Sequence, residues 1–432
     1  MRLAFWASAL FIAYVYVGYA LLLMLWVRLR RRPALRSRVA VSSRSERTGD
    51  KPWNRGGHPA TAALPRVSIV IAARNEGRRL RTRIANLLAL DYPADRRQII
   101  VASDGSTDDT RAALAAFGSQ VELVEIPPAG KAAALNAGVM RAHGDILVFA
   151  DARQTFAADA LLALVARFED PRVGGVSGEL ILGAESAAGR RSNRDRRTAN
   201  AEWLAQEQRA GDRRLSSTVS DGVGFYWKYE KQLRRLESEV GSMLGATGAI
   251  YALRRALWRA LPPGTLLDDV LAPMRAVLSG SRVVFEPAAR AYDVTVADAD
   301  AESRRKIRTL AGNVQILWFE PRLLVPVLNP VWLQYASHKV GRLLVPYALM
   351  ALYASSLALA EQSVVYAAAL FAQCAFYLHG GYGAWLEHRS HVRSPRATVI
   401  QRSGKVAFTI AVMNVSAVAG VGAALLGRRV WR

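Results

Sequence analysis

The alternation of apolar and polar positions divides the chain into a middle region of short, regularly repeating elements and two flanks of unbroken apolar residues. Val67–Ala73 (VSIVIAA) is apolar and rich in β-branched residues between Pro65 and Asn75, the pattern of a strand buried on both faces. A helical pattern follows over Glu76–Leu90, and Gln98–Ser103 predicts the next strand. Asp104-Gly105-Ser106-Thr107 breaks that strand, with Thr107 placed to cap a helix carrying Asp108 and Asp109 in its first turn. Val121–Ile126 predicts a third strand, Lys131–Ala142 a helix, and Asp145–Ala150 a fourth strand ending on Asp151. Such alternation predicts an α/β fold, a mostly parallel sheet covered by helices on both faces. Ligands of these folds bind beyond the carboxyl ends of the strands, where Asp104 and Asp151 fall.

The flanks have another solvent in view. Leu3–Val27 is uncharged and long enough to cross a bilayer as a helix, with Arg2 before it and Arg28, Arg30, Arg31 and Arg32 after it. The positive-inside rule then directs the following chain to the cytoplasm, and the segment reads as an uncleaved anchor. Leu343–Ala360, Val364–Leu378 and Ala407–Leu426 are also free of charge, and the basic stretch His388–Lys405 between the last two belongs inside. The expected organisation is a transmembrane helix at 1–27, a basic linker at 28–65 and an α/β domain at 66–315. An interface-helix region at 316–342 and about three membrane helices at 343–427 complete it. Within the domain, 183–220 is a polar insertion with five arginines between Arg190 and Arg197; it reads as solvated, or alternatively as a loop over the site or a lipid-headgroup contact. Phe225–Val240, with Trp227 and Tyr229 among charges, reads as an interface helix.

Composition narrows the function classes. The 432 residues carry 58 Lys+Arg against 35 Asp+Glu, a net charge of +23 that suits nucleic acid, an anionic membrane surface or a phosphate-rich ligand. The apolar spans and the lack of a recognition motif argue against nucleic acid. No charge inside the apolar runs marks an ion or substrate path, which argues against a transporter. The single cysteine, Cys374, supports neither a disulfide framework nor a thiolate metal site.

Six segments then occur in one order: VSIVIAARNE, IIVASDGSTDDT, GKAAALNAG, FADARQ, GATGAIYALRR and LLDDVLAPMR. In this order and approximate spacing they resemble the GT-A glycosyltransferases of family 2, the group containing cellulose, chitin and hyaluronan synthases. The resemblance runs from about Val67 to Gln315 and implies a GT-A (Rossmann-like) cytoplasmic domain with flanking transmembrane and interface α-helices. It implies base recognition by Asp104, which would accept the imide N–H of uracil; an Asx turn or helix cap is the structural alternative. Glu76 is either a nucleotide contact or a carboxylate favouring a helix N-terminus. Lys131, after Gly130 at a helix start, suits a diphosphate, though an exposed loop lysine would look the same.

Where the family usually has Asp-x-Asp for Mg2+ or Mn2+, this chain has Asp151-Ala152-Arg153. The resemblance leaves Asp151 to hold the metal, with Arg153 contacting phosphate or standing in for the cation's charge. Asp268-Asp269 matches the family's Thr-Glu-Asp, implying Asp269 as general base and Asp268 in support; two acids capping a helix over Val270–Leu278 is the alternative. Arg308 matches the arginine of the Gln-x-x-Arg-Trp motif, which binds pyrophosphate, while Arg305 and Thr309 replace Gln and Trp. The missing Trp removes a surface for stacking an acceptor sugar and weakens the expectation of long-chain synthesis.

The expected activity is inverting transfer from a UDP-sugar to a glycan or lipid-linked acceptor at a bacterial-type inner membrane. A second copy of the chain or an export-system partner would complete a secretion path that four spans are few to form. The alternative class is a membrane-anchored nucleotide-binding protein without turnover.

Overall fold

The computed structural model describes residues 1–31, 64–182, 221–293, 299–389 and 399–425. The insertion 183–220, most of the linker and the basic tail (Arg428, Arg429, Arg432) lie outside the described residues.

An eight-stranded mixed sheet organises the domain: β1 (Val67–Ala73), β2 (Arg97–Asp104), β3 (Glu122–Ile126), β4 (Ile146–Ala150), β5 (Thr155–Phe156), β6 (Val173–Leu182), β7 (Ile250–Arg254) and β8 (Arg282–Asp293). The spatial order is β3-β2-β1-β4-β7-β6-β8-β5. β1 pairs in parallel with β2 and β4, β2 with β3, and β6 with β8; β7 runs antiparallel between β4 and β6. The chain leaves β1 for β2 and β3 on one side and returns to β4 on the other, so the order reverses between β1 and β4. That reversal opens a crevice beyond their carboxyl ends.

Helices α3 (Gly77–Leu88), α4 (Thr110–Ala115), α5 (Lys131–Arg141) and α6 (Ala160–Ala166) follow in turn, with α7 (Asp221–Val240) before β7 and α8 (Asp268–Leu278) before β8. Strand alternation sorts the core. Ile69 and Ile71 of β1 face Leu80, Ile84 and Leu87 of α3 and Leu161, Leu164 and Val165 of α6. Val70, between them, joins the opposite core with Leu135 of α5 and Leu271, Met274 and Val277 of α8. Both faces are therefore covered, which is why the strand reads as an unbroken apolar run. Each such fully buried aliphatic side chain contributes roughly 1.5–3 kcal/mol. α5 lies close to the sheet because Gly138 has no side chain: a Cβ there would sit 2.6 Å from Cγ1 of Val70.

α1 (Arg2–Ala13) passes through a π-helical turn, Tyr14–Gly18, into α2 (Tyr19–Arg31). At the other end are α9 (Ala299–Phe319), α10 (Trp332–Gln334), a second π-helical turn at Tyr335–Val340, α11 (Gly341–Leu359), α12 (Val364–Arg389) and α13 (Val399–Leu425). Among the described residues, three helices are long and apolar enough to cross a membrane: Arg2–Arg30, Trp332–Gln362 and Val364–Trp385. The span expected at Ala407–Leu426 falls on α13, whose Gly420 lies against Leu310 and Ala311 of α9. Over 316–342, Pro321, Pro326 and Pro330 divide the chain after α9 into a 3-10 turn, a loop and a short helix.

α7 packs along α2. Leu233, Leu236 and Val240 bury against Tyr19, Ala20, Leu23 and Val27 of α2. Buried polar bonds add to the joint. Nδ1 of His338 is 2.6 Å from Oε1 of Glu237, which also accepts the Tyr19 hydroxyl at 2.8 Å, and Arg342 pairs with Glu230 at 2.5 Å. The guanidinium of Arg342 offsets the burial of Glu230 and holds its carboxyl well below the usual carboxylate range.

Candidate active site

Three loops meet at the carboxyl ends of β1, β2 and β4. Asn75, at φ 55°, donates its N–H to Oγ of Ser106 (3.0 Å) and accepts the N–H of Thr107 on its side-chain oxygen (2.8 Å). Thr107 is thus taken up by the first loop and does not cap α4. Asp108 does that work instead: Oδ1 accepts the N–H and hydroxyl of Thr110, and Oδ2 accepts the N–H of Gly77 at the start of α3. Those bonds hold the Asp108 carboxyl below its ordinary range, the Thr110 hydroxyl contributing most.

Asp104 is the last residue of β2 and is buried. Its Oδ1 accepts the N–H groups of Ala129 (2.6 Å) and Gly130 (2.9 Å), while Oδ2 lies 3.9 Å from Nη1 of Arg74. The carboxylate therefore fixes the loop that leads into α5. Gly130 enters the helix at φ +92°, a left-handed conformation that suits glycine. Lys131 is the first residue of α5, so its ammonium stands beside N–H groups that have no partner within the helix.

Lys131 is the hub of the site. Its Nζ lies 3.1 Å from Oδ1 of Asp268 and 3.3 Å from Oδ1 of Asp151, the residue that follows β4. Burial lowers the ammonium's pKa, but the carboxylates of Asp151, Asp268 and Asp269 outweigh it and hold the group protonated. Asp268 and Asp269 form the first turn of α8, whose N-terminus favours negative charge. Asp268 is buried and lies 3.4 Å from the Tyr251 hydroxyl of β7. The Asp269 carboxyl is pushed up to about 6, first by burial and then by the neighbouring Asp268, against the opposing pull of Lys131. Its Oδ2 lies where a Cβ on Gly248 would approach to 3.1 Å, and its carbonyl accepts the N–H of Ala246 at 2.7 Å. The segment Gly245–Gly248 thus forms one wall around this acid.

Four of the expected site residues come together here: Lys131, Asp151, Asp268 and Asp269. Asp104 sits one loop away and is joined to them through Gly130. Glu76 caps the opening of α3 by position and pairs with Arg79 at 2.8 Å, a local role. Arg153 points its Nε at Oδ2 of Asp293 (3.1 Å), at the end of β8, where Gln154 also donates (3.0 Å). Its guanidinium is therefore oriented along one edge by a protein partner. Arg308 is carried on α9, in the turn that packs near Gly420.

Sequence reasoning did not single out Tyr251, Asp293 or Arg83. Tyr251 stacks on Phe149 with ring centroids 4.7 Å apart, and desolvation together with Asp268 holds its phenol well above the ordinary range. It lies in the GATGAIYALRR segment, the one signal that marked it. Arg83 is buried beneath the site over the ring of Phe156 at 3.9 Å; burial lowers it to about 9 against the pull of Asp151. Nothing in the local sequence of α3 announces that arrangement.

Comparison with known proteins agrees with the geometry. The sequence profile of glycosyl transferase family 2 matches residues 68–235. A protein of Bacillus subtilis named probable glycosyltransferase YdaM is 27% identical over 267 residues, covering 59% of this chain and 56% of its own. Beta-monoglucosyldiacylglycerol synthase of Synechocystis is 32% identical over 124 residues, 27% of this chain and 26% of its own. These alignments span about half or less of each curated relative. Among solved structures, the mannosyltransferase PcManGT of Pyrobaculum calidifontis, in complex with GDP-Man and Mn2+, superposes with a TM-score of 0.62 at 21% identity. It covers 98% of this chain and 99% of its own, a match of fold that extends beyond the sheet to the flanking helices.

Proposed function

Taking as premise that the chain carries a glycosyltransferase family 2 domain, we propose that it transfers a sugar from a nucleoside diphosphate, uridine in first place, to a hydroxyl of a glycan or lipid-linked acceptor, with inversion. The catalytic domain faces the cytoplasm at an inner membrane that the apolar helices cross. The observation that carries this reading is the Lys131–Asp151–Asp268–Asp269 cluster at the carboxyl end of the sheet.

Asp269 acts as general base. A carboxyl whose pKa is raised to about 6 is ionised at neutral pH yet basic enough to take a proton, the balance that general-base work favours. As it accepts the acceptor hydroxyl's proton, the oxygen attacks the anomeric carbon. The bond from that carbon to the diphosphate oxygen breaks on the opposite face, and the electron pair leaves with the nucleotide. Lys131 and the free N–H groups at the start of α5 offset the charge that grows on the departing diphosphate. Asp268 keeps Lys131 in place, and Tyr251 faces Asp268 from beneath.

Mg2+ or Mn2+ fits this site in a specific way. Among the described residues no group of three or more His, Cys, Asp or Glu can hold a metal by itself. Asp151, half-buried at the strand end, offers one hard oxygen donor, and such ions keep waters and take remaining ligands from substrate phosphates. When bound, the ion adds positive charge at the diphosphate oxygens. The structural neighbour's complex with GDP-Man and Mn2+ belongs to the same class of donor and metal. Arg153, held at Nε by Asp293, keeps the other edge of its guanidinium for phosphate.

Asp104 supports the base assignment. With Oδ1 occupied by two backbone N–H groups, Oδ2 remains to accept a ring N–H. Uracil and guanine present one; adenine and cytosine do not. The test is nucleoside diphosphate release from UDP- and GDP-sugars by the lipid-reconstituted protein with Mg2+ or Mn2+, with and without chelator. Turnover of a UDP-sugar that chelation stops supports the reading; turnover of a GDP-sugar alone moves the base. UDP binding without release from any donor would instead support the non-catalytic nucleotide-binding class.

A further inference from the structure

The chain between α9 and α10 carries a feature that sugar transfer does not account for. Leu324, Val325, Pro326, Val327 and Leu328 are consecutive, apolar and exposed, with Val327 at 92%. No charge interrupts the chain from Leu323 to Ser337. Trp318 precedes the run with its ring 56% exposed, and the candidate span Trp332–Gln362 begins four residues after Leu328.

The base of the loop is also built so that its backbone is satisfied, while the N–H of Val327 at the tip makes no bond among the described residues. Nδ2 of Asn329, itself buried, donates to the carbonyl of Leu323 (2.8 Å), and Nε1 of Trp332 donates to the carbonyl of Leu324 (2.9 Å). The carbonyl of Val325 accepts the N–H groups of Leu328 and Asn329, and the carbonyl of Arg322 accepts that of Val325. Pro326 and Pro330 have no N–H to satisfy. A loop exposed to water has no need of side chains spent on its carbonyls; irregular backbone facing hydrocarbon does. Apolar side chains turned outward over a base whose backbone is internally bonded, with the tip within reach of the headgroup layer, are an arrangement a lipid surface selects.

From these two observations we infer that Leu324–Leu328 is a wedge immersed in the cytoplasmic leaflet beside the first turn of the membrane span. The bilayer is its occupant, and the inference rests on the membrane reading given above. The wedge is tied to the catalytic helix. Glu320, at its base, pairs with Arg275 of α8 at 2.7 Å and with Arg322 at 2.6 Å, both carboxylate oxygens being engaged. Gln315 of α9 accepts the N–H of Leu266 and donates to the carbonyl of Gly264, in the strand of chain leading to Asp268. The wedge thereby anchors the helix bearing Asp268 and Asp269 to the leaflet from which a lipid-linked acceptor would present its hydroxyl.

The experiment uses the full chain with Cys374 replaced by Ser, reconstituted in phosphatidylglycerol–phosphatidylethanolamine bilayers, and an environment-sensitive fluorophore on one introduced cysteine. Three sites are compared: Val327→Cys in the wedge, Met350→Cys exposed on the span, and Met140→Cys exposed on α5 of the domain. The inference predicts that the Val327 site, like Met350, shifts its emission to the blue and loses intensity to headgroup-proximal nitroxide lipids, while Met140 loses intensity to aqueous iodide. Quenching of Val327 by iodide in place of nitroxide lipid, with Met350 quenched by lipid, overturns the wedge and leaves the span standing. Protection of Val327 from both quenchers places a protein surface over it and also overturns the inference. Iodide quenching at Met350 overturns the membrane reading itself. None of these readings needs turnover, so failure of the proposed transfer activity is separable.

Discussion

Replacing Lys131 by Met removes the ammonium that stands between Asp151 and Asp268, at 3.3 and 3.1 Å. In the native site that ammonium is the largest influence holding Asp269 down, set against burial and the Asp268 charge, which push it up. Unit charges about 5 Å apart at an effective dielectric of roughly 20 interact by about 3 kcal/mol. At about 1.4 kcal/mol per pH unit, that is a ceiling of roughly two units. The lysine side chain is a third exposed, and water screens it, so we expect about half the ceiling. The Asp269 midpoint should therefore rise from about 6 to about 7. Since the variant also loses a diphosphate contact, the midpoint is best read without turnover. The protonated-carboxyl stretch in difference infrared spectra across pH, assigned by its loss in Asp269→Asn, serves that purpose. An unchanged or lowered midpoint in Lys131→Met would refute the argument that this lysine sets the base.

The same elevation gives the native enzyme a pH profile: kcat/KM falls with unit slope as pH drops through about 6, while donor affinity changes less. The stability sign is opposite; a carboxyl raised in the fold favours the folded state at low pH, and that contribution is lost as pH rises through about 6, measurable as a wild-type thermal midpoint that falls relative to that of Asp269→Asn as pH rises through about 6. Gly248→Ala places a Cβ 3.1 Å from the native position of Asp269 Oδ2, so kcat should fall with nucleotide affinity and thermal midpoint retained; equal losses in all three would contradict a local displacement. Arg275→Met breaks a buried pair and a bond to the Ala260 carbonyl, and should cost about 3 kcal/mol, whereas Arg322→Met, at an exposed guanidinium, should cost under about 1 kcal/mol. Thermal denaturation followed by intrinsic fluorescence ranks the two.

The strands were legible because covering both faces of a sheet leaves no polar interruption for the eye to miss: Val67–Ala73 is β1 to the residue, and the next three strands differ by a residue or two. Caps were harder. The run Ser106-Thr107-Asp108-Asp109 offers several residues able to cap α4, and the choice of Asp108 is made by the Gly77 N–H arriving from another loop. The acids and Lys131 were each visible, since their segments carry them, but their meeting around one ammonium depends on α5 and α8 sharing a face of the sheet. Arg153 with Asp293 and Tyr251 beneath Asp268 join residues far apart in the chain, and nothing local encodes either pair. In the last apolar helix, hydropathy alone could not show that Gly420 seats it against α9.

The central claim is that Asp269 takes the acceptor's proton in a site that Lys131 and Asp151 assemble around the donor diphosphate. The most direct measurement pairs donor binding with turnover in Asp269→Asn, lipid-reconstituted, with Mn2+ and the sugar nucleotide that the wild type consumes. The account predicts native-like affinity for the nucleotide sugar with transfer to acceptor abolished across the pH range. Transfer at wild-type rates by a variant that binds donor normally would contradict it and move the base to another residue.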